Sequence, residues 1–386
     1  SSWKKADINN KTMENRWYNY DNQIWANAVT ITSDRLETYK NENPGTVIPM
    51  DDITTMWVWI PRFNAVTPSN YNGGTVALPN AIDVTFVKEN ETSIDAFTFG
   101  DKELSGFWYG KFETSTTDGK LGCTTTTCSN ANNILIKPNL VSVTVNNVSS
   151  YFYAGRSMEQ ANNSFGFVSS EVDTHMSKNN EWGAVAYLTQ SIYGRCTSST
   201  TCTEVYINNS SGMYTGRSGG NIGGSTPING TYTDQTSTTQ YNSYGFYTYD
   251  DYLLNYNTNT KGNKVKGKGT GASTTGTIYG IYDMSGGTTE YVMGVYNNTK
   301  GSYSGFSSLP DNKYYNNYTA TSYTGHAISE TKGWYNDQSF SVYFSVSPWF
   351  KRSCYYDDGE LSGMFAFYGS SGINGGNSAS RFVITN

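Results

Sequence analysis

The 386-residue chain contains only two histidines, His175 and His326. A three-histidine zinc site is therefore excluded, and a histidine-based triad has two candidate bases at most. Charge is also scarce, with Asp, Glu, Lys and Arg making up 15% of the residues. The 26 Lys and Arg against 32 Asp and Glu leave a net charge of −6. No basic block stands out beyond the spaced Lys261, Lys264, Lys266 and Lys268, which argues against a nucleic-acid protein held by phosphate contacts. No stretch approaches the roughly 18 apolar residues of a membrane span. A fixed-period repeat is absent as well.

Aromatic and small polar residues take the place of charge. The 32 Tyr, 17 Phe and 9 Trp are too many large side chains for a solvated coil. Gly, Ser, Thr and Asn fill much of the remainder, so solubility rests on hydroxyls and amides. Antibody paratopes have a similar composition. The length suits one large domain or two to three small ones, with enough chain to bury a core.

Of the five cysteines, Cys123 and Cys128 enclose four threonines, and Cys196 and Cys202 enclose Thr-Ser-Ser-Thr-Thr. Neither spacing suits a metal site, and both stretches are polar and turn-rich. Two local disulfides are expected, and with them an oxidising compartment. Cys354 is left over. No signal peptide is visible at Ser1-Ser2-Trp3, so a mature or trimmed product is expected.

Residues 1–48 read as an N-terminal segment or cap with spaced aromatics, and 49–386 as the main domain. Strands are expected at Met56–Phe63, Ile82–Val87 and Phe107–Phe112, and through the alternating Val141, Val143 and Val145. Helical spacing predicts helices over 157–162 and over Thr174–Ser191, the latter capped by Asp173 or Thr174. Residues 114–132 and 191–275 read as loop-rich insertions. The pattern alone gives an α+β domain.

Six segments in order resemble the formylglycine-generating-enzyme-like domains. Met56-Trp-Val-Trp-Ile-Pro-Arg62 resembles the family's opening strand, and Gly106-Phe-Trp-Tyr-Gly-Lys-Phe-Glu113 a later one. Asp173-Thr-His-Met176 followed by Glu181-Trp-Gly-Ala-Val-Ala-Tyr187 resembles its Glu-Trp-Glu helix. Gly280-Ile-Tyr-Asp-Met-Ser-Gly286 with Glu290-Tyr291 resembles its Gly-Leu-Tyr-Asp-Met signature. Pro348-Trp-Phe-Lys-Arg-Ser353 stands where the family has Arg-Gly-Gly, and Arg381-Phe-Val-Ile384 where it closes. The resemblance spans about residues 50–386 and implies a C-type lectin fold.

Fold does not fix function. The oxidising members of that family use a copper-binding cysteine pair after the Arg-Gly-Gly segment, whereas this chain has Cys354 alone and no Gly-Gly. The adjacent Asp357 and Asp358 would point to opposite faces of a strand, unlike a glycosidase pair. The Glu-Pro-Asn, Gln-Pro-Asp and Trp-Asn-Asp motifs of calcium-dependent sugar-binding lectins are missing. A non-catalytic protein without a cofactor is expected.

The same fold is found in the variable proteins of diversity-generating retroelements, where adenine substitution rewrites a C-terminal segment. Asn codons changed in that way cannot give Lys, Glu, Gln, Trp or Met. None of these occurs at 353–359 or 367–380, while the framing Trp349, Lys351, Glu360 and Met364 are of the forbidden types. The expected recognition face is the segment 343–380. Its contact residues are Ser353, Cys354, Tyr355, Tyr356, Asp357, Asp358, Tyr368, Ser370, Ser371, Ile373, Asn374 and Asn377. Tyrosines give large contact area at small entropic cost, and Ser and Asn give adaptable hydrogen bonds. The expected partner is a protein or glycan on another cell or host, which places the chain outside the cell or on a cell or virion surface. Two alternatives are a coat, tail or pilus subunit that packs against copies of itself, and a divergent oxidase using Cys354. The oxidase reading expects a thiol of lowered pKa in a cleft, and the display reading an exposed side chain.

Overall fold

The computed structural model describes residues 3–12, 17–124, 126–208, 210, 212–217, 252–256, 263–267, 269–319, 324–340, 342 and 344–386. Parts of the 191–275 insertion, with Lys261 and Lys268, lie outside the described residues. Strands dominate, with few helices, in an α+β arrangement.

The strands of the two larger sheets are β1 (Asn27–Ile31), β2 (Ile53–Pro61), β3 (Gly106–Gly110), β4 (Asp173–Met176), β5 (Thr289–Tyr296), β6 (Asn316–Tyr318), β7 (Trp349–Ser353), β8 (Gly363–Ser370), β9 (Ser378–Ser380) and β10 (Phe382–Thr385). The first sheet is antiparallel throughout, in the order β4-β10-β3-β2-β1. The second runs β6-β5-β7-β8, with β9 also pairing β5 in parallel. Both cysteine pairs are closed as disulfides, Cys123–Cys128 and Cys196–Cys202.

Alternation along the strands feeds two cores. Val292, Phe350 and Val383 enter one core, which packs on helix α3 (Asn179–Thr189). Their neighbours Tyr291, Met293, Trp349, Phe382 and Ile384 enter the other, which packs on helix α2 (Val148–Ser157). With both faces covered, β5 and β10 carry nearly continuous apolar runs, Tyr291–Val295 and Phe382–Ile384. Helix α3 is buried along its whole length, and Gly183 lets it approach closely: a Cβ there would lie 2.4 Å from the Gly325 carbonyl oxygen. A short helix, α1 (Leu36–Asn41), adds the buried Tyr39 to the second core.

Three expectations are corrected. Asp173 and Thr174 do not cap a helix: they belong to β4 and pair with Thr385 and Ile384, and the helix starts only at Asn179. The helix expected over 157–162 lies upstream at Val148–Ser157, where the Asn147 side chain accepts the Ser150 N–H at 3.0 Å. Val141, Val143 and Val145 form no strand; only isolated bridges at Val141 and Ser142 occur there, and Val145 has φ 61°. In each case tertiary pairing outweighs local periodicity.

Candidate functional site

The residues that carry the family resemblance form an interior polar frame. The Arg381 guanidinium grips Glu290 through Nη2–Oε1 at 2.6 Å and Nε–Oε2 at 3.1 Å. Its remaining donors reach the carbonyls of Gly110 and Tyr282, so it joins both sheets to the loop before β5. Lys111 donates to the carbonyls of Ile278 and Gly280 at 2.7 Å each. Arg352 donates to Asn179, His326 and Ala327. Burial and the neighbouring Asp283 and Glu290 charges push the Glu113 carboxyl well above its usual range. Asp283 is held by Asn208 and the Gly216 N–H, both at 2.8 Å. All these groups are buried and bonded to one another or to backbone carbonyls and amides.

Both histidines are buried as well. His175 stacks on Phe99 at 4.7 Å and bonds Glu181 and Asp173 at 2.9 and 3.1 Å. Burial opposes its charge, but the two carboxylates outweigh burial and raise its pKa. His326 lies between Tyr318 and Asp95, at 2.5 and 2.6 Å. Among the described residues no group of three or more His, Cys, Asp or Glu is placed to hold a metal ion. The buried acids Glu204 and Asp337 line a cavity of about 10 Å³, room for one water and no substrate.

The two windows of restricted residue types meet on the second sheet. Lys351 stands opposite Tyr368 on β8 and Tyr291 on β5. Its ammonium lies 4.6 Å from the Tyr291 ring centroid and 5.9 Å from that of Tyr368, and it donates to Ser378 Oγ at 2.6 Å. Burial lowers its pKa to about 8. The Tyr291 hydroxyl pairs with Ser370 Oγ at 2.7 Å and donates to the Ile373 carbonyl at 2.8 Å. The stretch 286–289 that leads into β5 receives both windows: the Ser353 hydroxyl donates to the Gly286 carbonyl and the Tyr356 N–H to the Gly287 carbonyl at 3.0 Å, while the Thr289 N–H and hydroxyl donate to the Asn377 carbonyl.

The individual residues divide by exposure. Asp357, Asp358, Ile373 and Asn374 are exposed; Tyr355, Tyr356, Tyr368, Ser370, Ser371 and Asn377 are half-buried. The Tyr355 and Tyr356 rings lie 4.1 Å apart, and Asp358 accepts the Tyr355 N–H at 2.8 Å. Ser353 and Cys354 correct the expectation, because both are fully buried. The Ser353 hydroxyl donates to the Gly286 carbonyl, and the Cys354 thiol to Gln338 at 3.0 Å. Burial, with the charges of Asp358 and Asp337, pushes that thiol up. Cys354 is thus neither an exposed contact nor the activated thiol of the oxidase alternative. Both residues have left-handed backbone, φ 77° and 64°, a conformation that favours glycine.

Sequence reasoning missed Thr289, Tyr291 and Lys351, which brace the face from below. It also missed Phe344 and Val346, which are 58% and 78% exposed within the segment, and Phe340 just before it at 60%. Apolar residues carry no sequence mark of facing outward, so only the fold reveals them.

No protein-family model matches the chain, and no curated protein matches it.

Proposed function

We propose that the chain is a non-catalytic recognition protein with a C-type lectin fold. Its face, formed by residues 355–358 and 368–377, takes a protein or glycan partner outside the cell or on a cell or virion surface. The observation that carries the reading is the convergence of the two windows on the stretch 286–289, with their tyrosine, aspartate and asparagine side chains at or near the surface. The left-handed backbone at Ser353 and Cys354 adds support, since the resembled motif has Gly-Gly at those positions. The two disulfides fit an oxidising location, and among the described residues no helix is long and apolar enough to cross a membrane.

A library that replaces Tyr356, Asp357, Ser371, Ile373 and Asn374 with Asn, Ser, Tyr, Asp or Gly tests whether this face is free to vary. Most members are expected to keep the parent melting temperature within a few degrees, as surface changes usually do. Failure of most members to fold, or a large drop in their melting temperature, would make the segment structural and overturn the reading.

A second reading has its own observation. The exposed Phe344 and Val346 suit a subunit that packs on copies of itself. Light scattering behind size-exclusion chromatography separates the two: a polymer or fixed ring supports assembly, and a monomer supports recognition of a different partner.

A further inference from the structure

A second concave site lies away from the C-terminal face, on the first sheet. Trp59 on β2 and Trp108 on β3 are directly paired across the strands, with ring centroids 5.2 Å apart and planes inclined by 60°. Pro61 follows on the same side of β2, two residues along. The N-terminal segment folds over this patch. Its turn is closed by Asn19 and Ile24, each accepting the other's N–H, and is anchored by the Tyr20 hydroxyl on the Trp59 carbonyl at 2.6 Å. Gln23 and Trp25 fasten it further to the carbonyls of Ile192 and Tyr193. The turn carries Trp17, Tyr18 and Asp21 to the rim. A cleft of about 570 Å³ remains between the turn and the sheet.

That volume is within the range of small-ligand sites, and aromatic walls with few polar groups are their usual lining. The chemistry of the walls narrows the ligand. Trp17, Tyr18, Trp59 and Trp108 are only partly buried. Asp21 is exposed and is the only charged residue among the described lining residues; neither Lys nor Arg is present to receive an anion. Ring faces attract cations, most strongly at tryptophan, and a carboxylate at the rim adds to that attraction. A neutral sugar would need several convergent hydrogen-bonding side chains, and this lining has few.

We infer that the cleft bounded by Trp17, Tyr18, Trp59, Trp108 and Asp21 is a binding site for an N-methylated ammonium group. Its apolar methyls pack on the indoles, and its charge faces both the rings and Asp21. The site is independent of the proposed C-terminal face.

Tryptophan fluorescence of the full chain, titrated with choline, with trimethyllysine and with the uncharged choline isostere 3,3-dimethylbutan-1-ol, tests this. Choline or trimethyllysine is expected to give a saturable change, and the better of the two identifies the source of the group. The isostere is expected to bind at least about fivefold more weakly. Asp21→Asn, an exposed change, is expected to weaken the ammonium ligand about fivefold, and Trp108→Ala to abolish the response. If Trp108→Ala does not fold, Asp21→Asn and the isostere still decide. Equal binding of the isostere, saturable binding of cellobiose in place of the ammonium ligands, or no saturable response to either ammonium ligand would overturn the inference.

Discussion

Arg381 and Glu290 form a fully buried two-point ion pair between the end of the proposed recognition segment and the central strand of the second sheet. The contact explains how a segment rich in glycine and serine is held in register. Directly after it, β10 inserts between β3 and β4, so the face is clamped at both ends by buried strands.

Breaking the pair leaves a buried charge uncompensated. Arg381→Met is expected to lower stability by about 3–5 kcal/mol. Glu290→Gln, which keeps the shape, is expected to cost less. Urea denaturation of the two single variants and the double variant checks this: a double variant no worse than Arg381→Met alone supports the pairing, and simple additivity contradicts it.

Lys351 sets the alkaline behaviour. Its pKa is lowered to about 8 by burial, so between about pH 8 and its ordinary 10.5 the unfolded chain binds more protons than the folded one. Stability at this group therefore rises with pH through that window, by about 3 kcal/mol in full. Lys351→Met is expected to remove the rise. Thermal unfolding at pH 7.5 and pH 10 for both proteins measures it; an unchanged slope in the variant would exclude Lys351 as the source.

Asp173 sets an acid limb. Burial opposes its charge, but His175 and Arg156 outweigh burial and lower its pKa to about 2. A lowered carboxyl pKa stabilises the fold above the unfolded value, and this contribution is lost as pH falls from about 4 to 2. His175 has the opposite sign: its raised pKa stabilises the fold below about 6.5 and is lost as pH rises through the folded value. Asp173→Asn is expected to cost about 2 kcal/mol at pH 5 and to flatten the acid limb in a stability–pH curve. A parallel curve, shifted without flattening, would contradict the assignment.

Cys354 is expected to stay unmodified by a thiol reagent in the folded protein and to react once denatured, because the side chain is buried and its thiol is pushed up. Rapid labelling of the native protein, followed by mass spectrometry, would refute the buried placement.

The legible and illegible parts of the sequence separate along physical lines. The strands at Met56–Phe63 and Phe107–Phe112 were legible because β2 and β3 are buried over most of their length and read as apolar runs. The cysteine pairs were legible from their short spacing within polar, turn-rich stretches. Helix α3 was legible in kind but not in its start, since the backbone of β4 is committed to β10, a partner more than 200 residues away in the chain. The restricted windows were legible as composition. Their internal division was not: Ser353 and Cys354 belong to the same restricted set of residue types as the more exposed residues after them, and only the fold shows that their left-handed turn is buried. The aromatic cleft was illegible because Trp17, Trp59 and Trp108 are brought together from three separate segments.

The recognition face is tested most directly by sequencing the 3′ end of the gene in many individual genomes of one population. The account predicts substitutions clustered at residues 355–358 and 370–377, with Ser353 and Cys354 nearly constant and Trp349, Arg381 and Phe382 fixed. A uniform segment, or changes spread evenly over buried and exposed positions, would contradict a diversified face.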